Sequence, residues 1–227
     1  MVERKVKIFT RFNRLWHWSQ VISIMLLLFT GFRLNGLHEL IRFQVAAGLH
    51  TVVALALLLL WAFVVFWLFT TDAWKNFIPT RRGLWQVIKY YAYGVFKGAE
   101  HPYRKVFHRR HNPLQLLAYL ALKLMLFPAI WVSGLIYLAY GLWSHVDGAS
   151  FLLQIVANIH ILSGFAIAAF VVVHVYLLTL GHGFRSHVRP MVTGFDTVEL
   201  TPEEEAFLKT SEPWRLQDDP EPARVQG

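Results

Sequence analysis

The chain has 227 residues, of which 56% are hydrophobic and only 16% charged, with a formal net charge of +8. Such a composition excludes an ordinary soluble domain, and runs of about eighteen nearly uncharged apolar residues mark transmembrane helices. Cysteine is absent, which excludes disulfides, thiolate-held clusters and thioether-linked prosthetic groups in this chain, so any redox centre must rest mainly on histidine.

Arg4, Lys5, Lys7, Arg11 and Arg14 lie at the N-terminus, up to the start of the first apolar segment, roughly residues 14–34. A basic start followed by an apolar run is also the pattern of a signal peptide. No small-x-small cleavage site closes it, however, and TGFRLNGLHEL follows, so the segment reads as a retained helix. The second span covers 43–69, the third 114–140 and the fourth 151–180, each long enough to cross a bilayer with some tilt. Between the second and third, LWQVIKYYAYGVFKG (84–98) mixes aromatic and apolar residues with two lysines and reads as an interfacial helix. The third span carries Lys123 and Pro128. The lysine either serves proton or quinone handling or snorkels to the interface, and the proline kinks the helix. From residue 195 the chain is polar and proline-punctuated, which predicts a cytoplasmic tail disordered at its end. The expected architecture is an all-α membrane protein: a four-transmembrane-helix domain over 1–194 and a polar tail over 195–227.

Lysine and arginine set the orientation. Five lie at the N-terminus, nine between spans two and three, and Arg185 and Arg189 follow span four. Only Arg33 and Arg42 lie between spans one and two, and none between three and four. The positive-inside rule then places both termini and the long middle loop in the cytoplasm. This clustering at span ends also directs the positive charge to lipid headgroups and not to nucleic acid.

Eleven histidines are many for such a chain. His160 and His174 are fourteen residues apart on span four, close to four helical turns, so they share a face and lie roughly 21 Å apart along the axis at about 1.5 Å per residue. Depth supplies their partners. With the N-terminus inside, His17 lies near the inner face and His50 about two turns below the outer one. His50 therefore matches His160 at the outer level, and His17 matches His174 at the inner level. Two bis-histidine pairs in one helical bundle predict two b-type haems, with iron ligands His50 and His160 outside and His17 and His174 inside. Gly48 and Gly164, close to these ligands, leave room for a flat ring. Arg11 and Arg14 suit inner propionates and Arg33 or Arg42 outer ones, although the same arginines serve as topology signals. His38, His101, His108, His111, His145, His182 and His187 read as loop or interface residues, and the tryptophans as interfacial belts and packing.

With these residues in place, the chain over about residues 8–190 resembles the four-helix, dihaem cytochrome b subunits of bacterial respiratory oxidoreductases. Those include the subunits of formate dehydrogenase, nickel–iron hydrogenase and thiosulfate reductase. The resemblance rests on RFNRLWHW with His17, GLH with His50, the pair His160 and His174, HNPLQLLAYLAL and WVSGL. It implies the same ligand pairing and a quinone, menaquinone or ubiquinone, bound beside the inner haem. It assigns Asn112 to that quinone site, although Asn-Pro is equally an ordinary helix start. It further implies a multi-pass protein of the bacterial inner membrane. A periplasmic partner subunit (iron–sulfur, molybdenum, nickel–iron or multihaem c-type) would perform the substrate chemistry. The sequence also admits a stand-alone dihaem cytochrome that oxidises superoxide, and a haem-free channel, transporter or anchor.

Overall fold

The computed structural model describes residues 2–71, 74, 83–94, 97, 113–179 and 184–217. The chain divides into two compact units. A terminal unit comprises Met1–His17, Arg82–Asn112 and Leu178–Gly227, and a helical unit comprises Trp18–Arg81 and Pro113–Leu177.

Four long helices match the four expected spans. They are α1 (Arg11–Leu34), α2 (Phe43–Thr70), a third helix built from α4 (Pro113–Ala121) and α5 (Phe127–Leu138), and α7 (Ala149–Leu178). Each is long and apolar enough to cross a membrane. Within the helical unit the buried residues are both apolar (Leu57, Val64, Phe127, Val156 and Ile167) and hydroxylated, and many large apolar side chains face outward. Thr30, Ser133 and Ser163 are buried, while Ile22, Leu59, Phe66, Met125 and Leu162 are exposed. Hydroxylated residues between the helices together with large apolar residues on the outside are what lipid-facing helices allow. The short α6 (Tyr140–Trp143) follows α5.

Between α4 and α5 the helix widens into a π-helical turn, Leu122–Leu126, in which the backbone N–H of Phe127 donates to the carbonyl of Leu122. Pro128, immediately downstream, has no N–H, and in a regular α-helix its ring would clash with the carbonyl four residues back. The extra residue of the π-turn relieves that clash. A kink is expected at Pro128, and the distortion takes this form, with Lys123 on the widened turn.

The terminal unit holds a feature the all-helical expectation lacks. Strand β1 (Val2–Lys7) pairs antiparallel with β2 (Phe195–Leu200), in a register running from Val2 opposite Leu200 to Lys7 opposite Phe195. Val6, Ile8, Val198, Leu200 and Leu208 form its core, with Phe9 and Leu216 packed against it. Leu208 comes from α9 (Pro202–Ser211), which starts with a capping box between Thr201 and Glu204, a proline in its first turn and three glutamates there. Gly194 lies between α8 (Phe184–Thr193) and β2 with φ 93°. A Cβ there would fall 2.8 Å from the carbonyl oxygen of Phe9, so glycine is required where the two chain segments meet. The stretch following Gly194 is thus joined to the N-terminus by a sheet and a small core. Residues on both sides of the expected boundary at 194 belong to one unit, and residues 218–227, expected to be disordered, lie outside the described part. The expected helix over 84–98 is present as α3 (Leu84–Lys89) continued by a π-turn, Tyr90–Gly94. Val87 is buried and Trp85 and Tyr93 are exposed.

Candidate haem site

His50 on α2 and His160 on α7 face one another in the helical unit. Their ring centroids are 6.2 Å apart, with planes at 72°. An iron between two imidazoles needs two metal–nitrogen bonds of about 2 Å, the usual metal–imidazole length. With about 1 Å more from each nitrogen to its ring centre, the separation is roughly 6 Å. The observed gap therefore fits one shared metal.

The outer nitrogens are already committed. His50 Nδ1 lies 2.9 Å from Thr30 Oγ1. The Thr30 hydroxyl spends its proton on the carbonyl of Leu26, at 2.7 Å. His160 Nδ1 lies 3.0 Å from the carbonyl oxygen of Ile130 and 3.3 Å from Ser133 Oγ. The Ile130 carbonyl can only accept, and the Thr30 hydroxyl has already given its proton to Leu26, so Nδ1 of each neutral ring carries the proton and donates it, leaving the lone pair on Nε2. That is the tautomer an Nε2 metal ligand needs. Among the described residues no cluster of three or more His, Cys, Asp or Glu is placed to hold an ion. Two imidazoles at this separation suit a metal whose remaining positions are filled by a macrocycle, as in haem.

His160 and His174 share the unbroken helix α7. The ring of His174 stacks on Phe170 at 6.0 Å and 9°, and Tyr119 meets it edge-on at 6.5 Å. His17 is partly buried on α1 and belongs to the terminal unit, whereas His174 belongs to the helical unit. Asn112 lies outside the described residues, as do His101, His108, His111 and His182. Arg14 donates to the carbonyl of Val192, and Arg33 donates to the carbonyl of Ile41 at 2.7 Å. Both arginines therefore have structural uses of their own. Trp61 and Trp131 pack edge to face at 4.7 Å beside Phe127, which bears out the packing role expected of them.

Thr30, Gly31, Ser133 and Gly134 contact the histidines but do not emerge from reading the ligands alone. A Cβ on Gly31 would lie 3.3 Å from His50 Cε1, and one on Gly134 only 3.0 Å from His160 Cε1. Beside Gly48 a Cβ would meet nothing within 4 Å, and beside Gly164 only Ile130 Cδ1 at 4.0 Å. The signal for the missed residues is a hydroxyl–glycine pair inside an apolar helix, Thr30-Gly31 and Ser133-Gly134.

Comparison with known proteins agrees with this geometry. The family described as prokaryotic cytochrome b561 matches residues 8–194. A protein of Escherichia coli (strain K12) named "Putative cytochrome YdhU" is 27% identical over 201 residues, covering 84% of this chain and 74% of that protein. No solved structure matches the chain.

Proposed function

This chain belongs to the prokaryotic cytochrome b561 family, and we propose that it is the dihaem membrane subunit of a quinone-linked oxidoreductase, moving electrons between a periplasmic partner subunit and the quinone pool. The family is one of membrane cytochromes that bind b-type haem, and with four spanning helices the chain is a multi-pass protein of the bacterial inner membrane. The observation that carries the proposal is the His50–His160 pair, held at a separation that fits an iron, with both Nδ1 groups tied back.

His50 and His160 would hold one haem and His17 and His174 the other. When bound, haem supplies a one-electron iron couple, while the protein contributes ligation, burial and spacing. The fourteen-residue separation of His160 and His174 on one helix supports two sites at different depths. Loop charges support the pair nearer the N-terminus as the inner one. Asn112, which opens the third span, is the proposed quinone contact beside that inner pair. The helix begun by Leu84 is proposed to lie on the cytoplasmic membrane surface, where Lys89 over the exposed Trp85 ring at 5.6 Å joins a cation to an interfacial aromatic. Substrate chemistry would belong to the partner.

Reduced-minus-oxidised spectra and haem quantitation of the purified protein test the ligand assignment. His50→Ala and His160→Ala should each remove about half of the b-type absorbance, and the same half, because each takes one axial ligand from one iron. Loss of different haems in the two variants would overturn the pairing, and a wild-type protein without haem would overturn the function.

A further inference from the structure

The contacts behind His50 and His160 are two copies of one device. On α1, the Thr30 hydroxyl, 3.3 Å from the Leu27 carbonyl three residues earlier, receives the His50 ring, and Gly31 follows. On α5, Ile130 and the Ser133 hydroxyl three residues later receive the His160 ring, and Gly134 follows. In both copies the hydroxyl donates to the carbonyl four residues back, Leu26 in one and Ala129 in the other. Carbonyl, hydroxyl and glycine thus recur at identical offsets on two different helices. One helical turn makes this possible: residues three and four apart lie on one face, and glycine lets the ring close against the helix backbone.

We propose that Leu27–Gly31 and Ile130–Gly134 are paired positioning cradles that fix the tautomer and rotation of both axial imidazoles and so set the reduction potential of the haem between them. This rests on the reading of His50 and His160 as ligands of one iron. An Nδ1 proton drawn toward oxygen leaves Nε2 more electron-rich, which favours ferric iron and lowers the potential. The two cradles are not equal. The hydroxyl is the close side-chain partner of His50, at 2.9 Å. For His160 the Ile130 carbonyl at 3.0 Å is nearer than Ser133 at 3.3 Å. The Thr30 hydroxyl therefore has the larger influence.

Redox titration and low-temperature EPR of the purified wild-type protein and its variants test this. Thr30→Val keeps the shape but removes the acceptor. Its outer haem should shift upward by a several-fold change in the ferrous-to-ferric ratio, a tenfold change being about 59 mV for one electron. Ser133→Ala should shift the same haem the same way by less, and Thr30→Ser should restore the wild-type value. Gly134→Ala, by turning the His160 ring, should alter the ferric EPR g-values. Loss of the outer haem from Thr30→Val but not from Thr30→Ser also supports a positioning role. The inference is overturned if Thr30→Val and Ser133→Ala retain haem with wild-type potential and EPR spectrum. A wild-type protein with no b-type band would instead overturn the haem reading beneath it, so the two failures are distinguishable.

Discussion

Glu205 on α9 sits between two cations, with Lys209 at 2.9 Å and Arg4 at 3.1 Å. Its hydrogen bond to Lys209, then that to Arg4, holds the carboxyl below the usual range. A carboxylate with a lowered folded-state pKa stabilises the fold above its ordinary value of about 4.3, and the contribution disappears as pH falls through the folded value. Hydrogen-exchange protection of the β1 amides should therefore fall as pH drops below about 5, and Glu205→Gln should lower protection at neutral pH and flatten that decline. An unchanged acid profile in the variant would rule out the role of Glu205. The sequence makes one half of this contact legible, because Glu205 and Lys209 are one helical turn apart. The other half comes from Arg4, 201 positions away, where no local pattern reaches. The same division separates the proposed haem ligands from their cradles. His160 and His174 announce themselves by spacing on one helix, whereas Thr30 meets His50 only after two helices pack.

At the level of the element, helix period does what single residues cannot. The apolar runs are so long that all four spans are legible to within a few residues, and α7 runs unbroken through both of its histidines. The third span is different. Its π-turn is one residue too wide for a regular helix, and the apolar run conceals it because Lys123, the one charge within the turn, does not by itself mark a shift in face. A π-turn of this kind behaves as a one-residue insertion in an α-helix. Deleting Leu124 together with Pro128→Ala should therefore restore a regular helix, keep Tyr119 beside His174 and Ser133 beside His160, and leave both haems bound. Deleting Ala169 from α7 is the contrasting case, because it rotates His160 against His174 by about 100°. Haem quantitation should show one haem lost, roughly half the wild-type content. Equal haem loss from the two deletions would show that the π-turn is not a tolerated insertion.

Across the whole molecule, the β1–β2 pairing and the loop charges address the same question independently. Residues 2–7 are hydrogen-bonded to residues 195–200, so both segments must lie on one side of any membrane that the helices cross. Four spans, an even number, require the same. The sheet is not legible in the sequence. Each strand is six residues long, one of them among charges at the chain start, and their partnership spans nearly the full chain. Charge supplies the expectation of which side they occupy: five basic residues at or before the start of the first span and nine in the middle loop, against two and none in the other connections. The absence of cysteine makes this directly measurable, since each introduced thiol reports alone. Thr197 on β2 and Ser144 after α6 are both exposed. In spheroplasts, a membrane-impermeant maleimide should label Ser144→Cys readily and Thr197→Cys only after lysis, because an arrangement with the basic loops outside opposes the positive-inside bias. Labelling of Thr197→Cys before lysis, with Ser144→Cys protected, would invert the protein. The His50–His160 pair would then lie nearer the cytoplasm, with the proposed quinone site at the opposite surface.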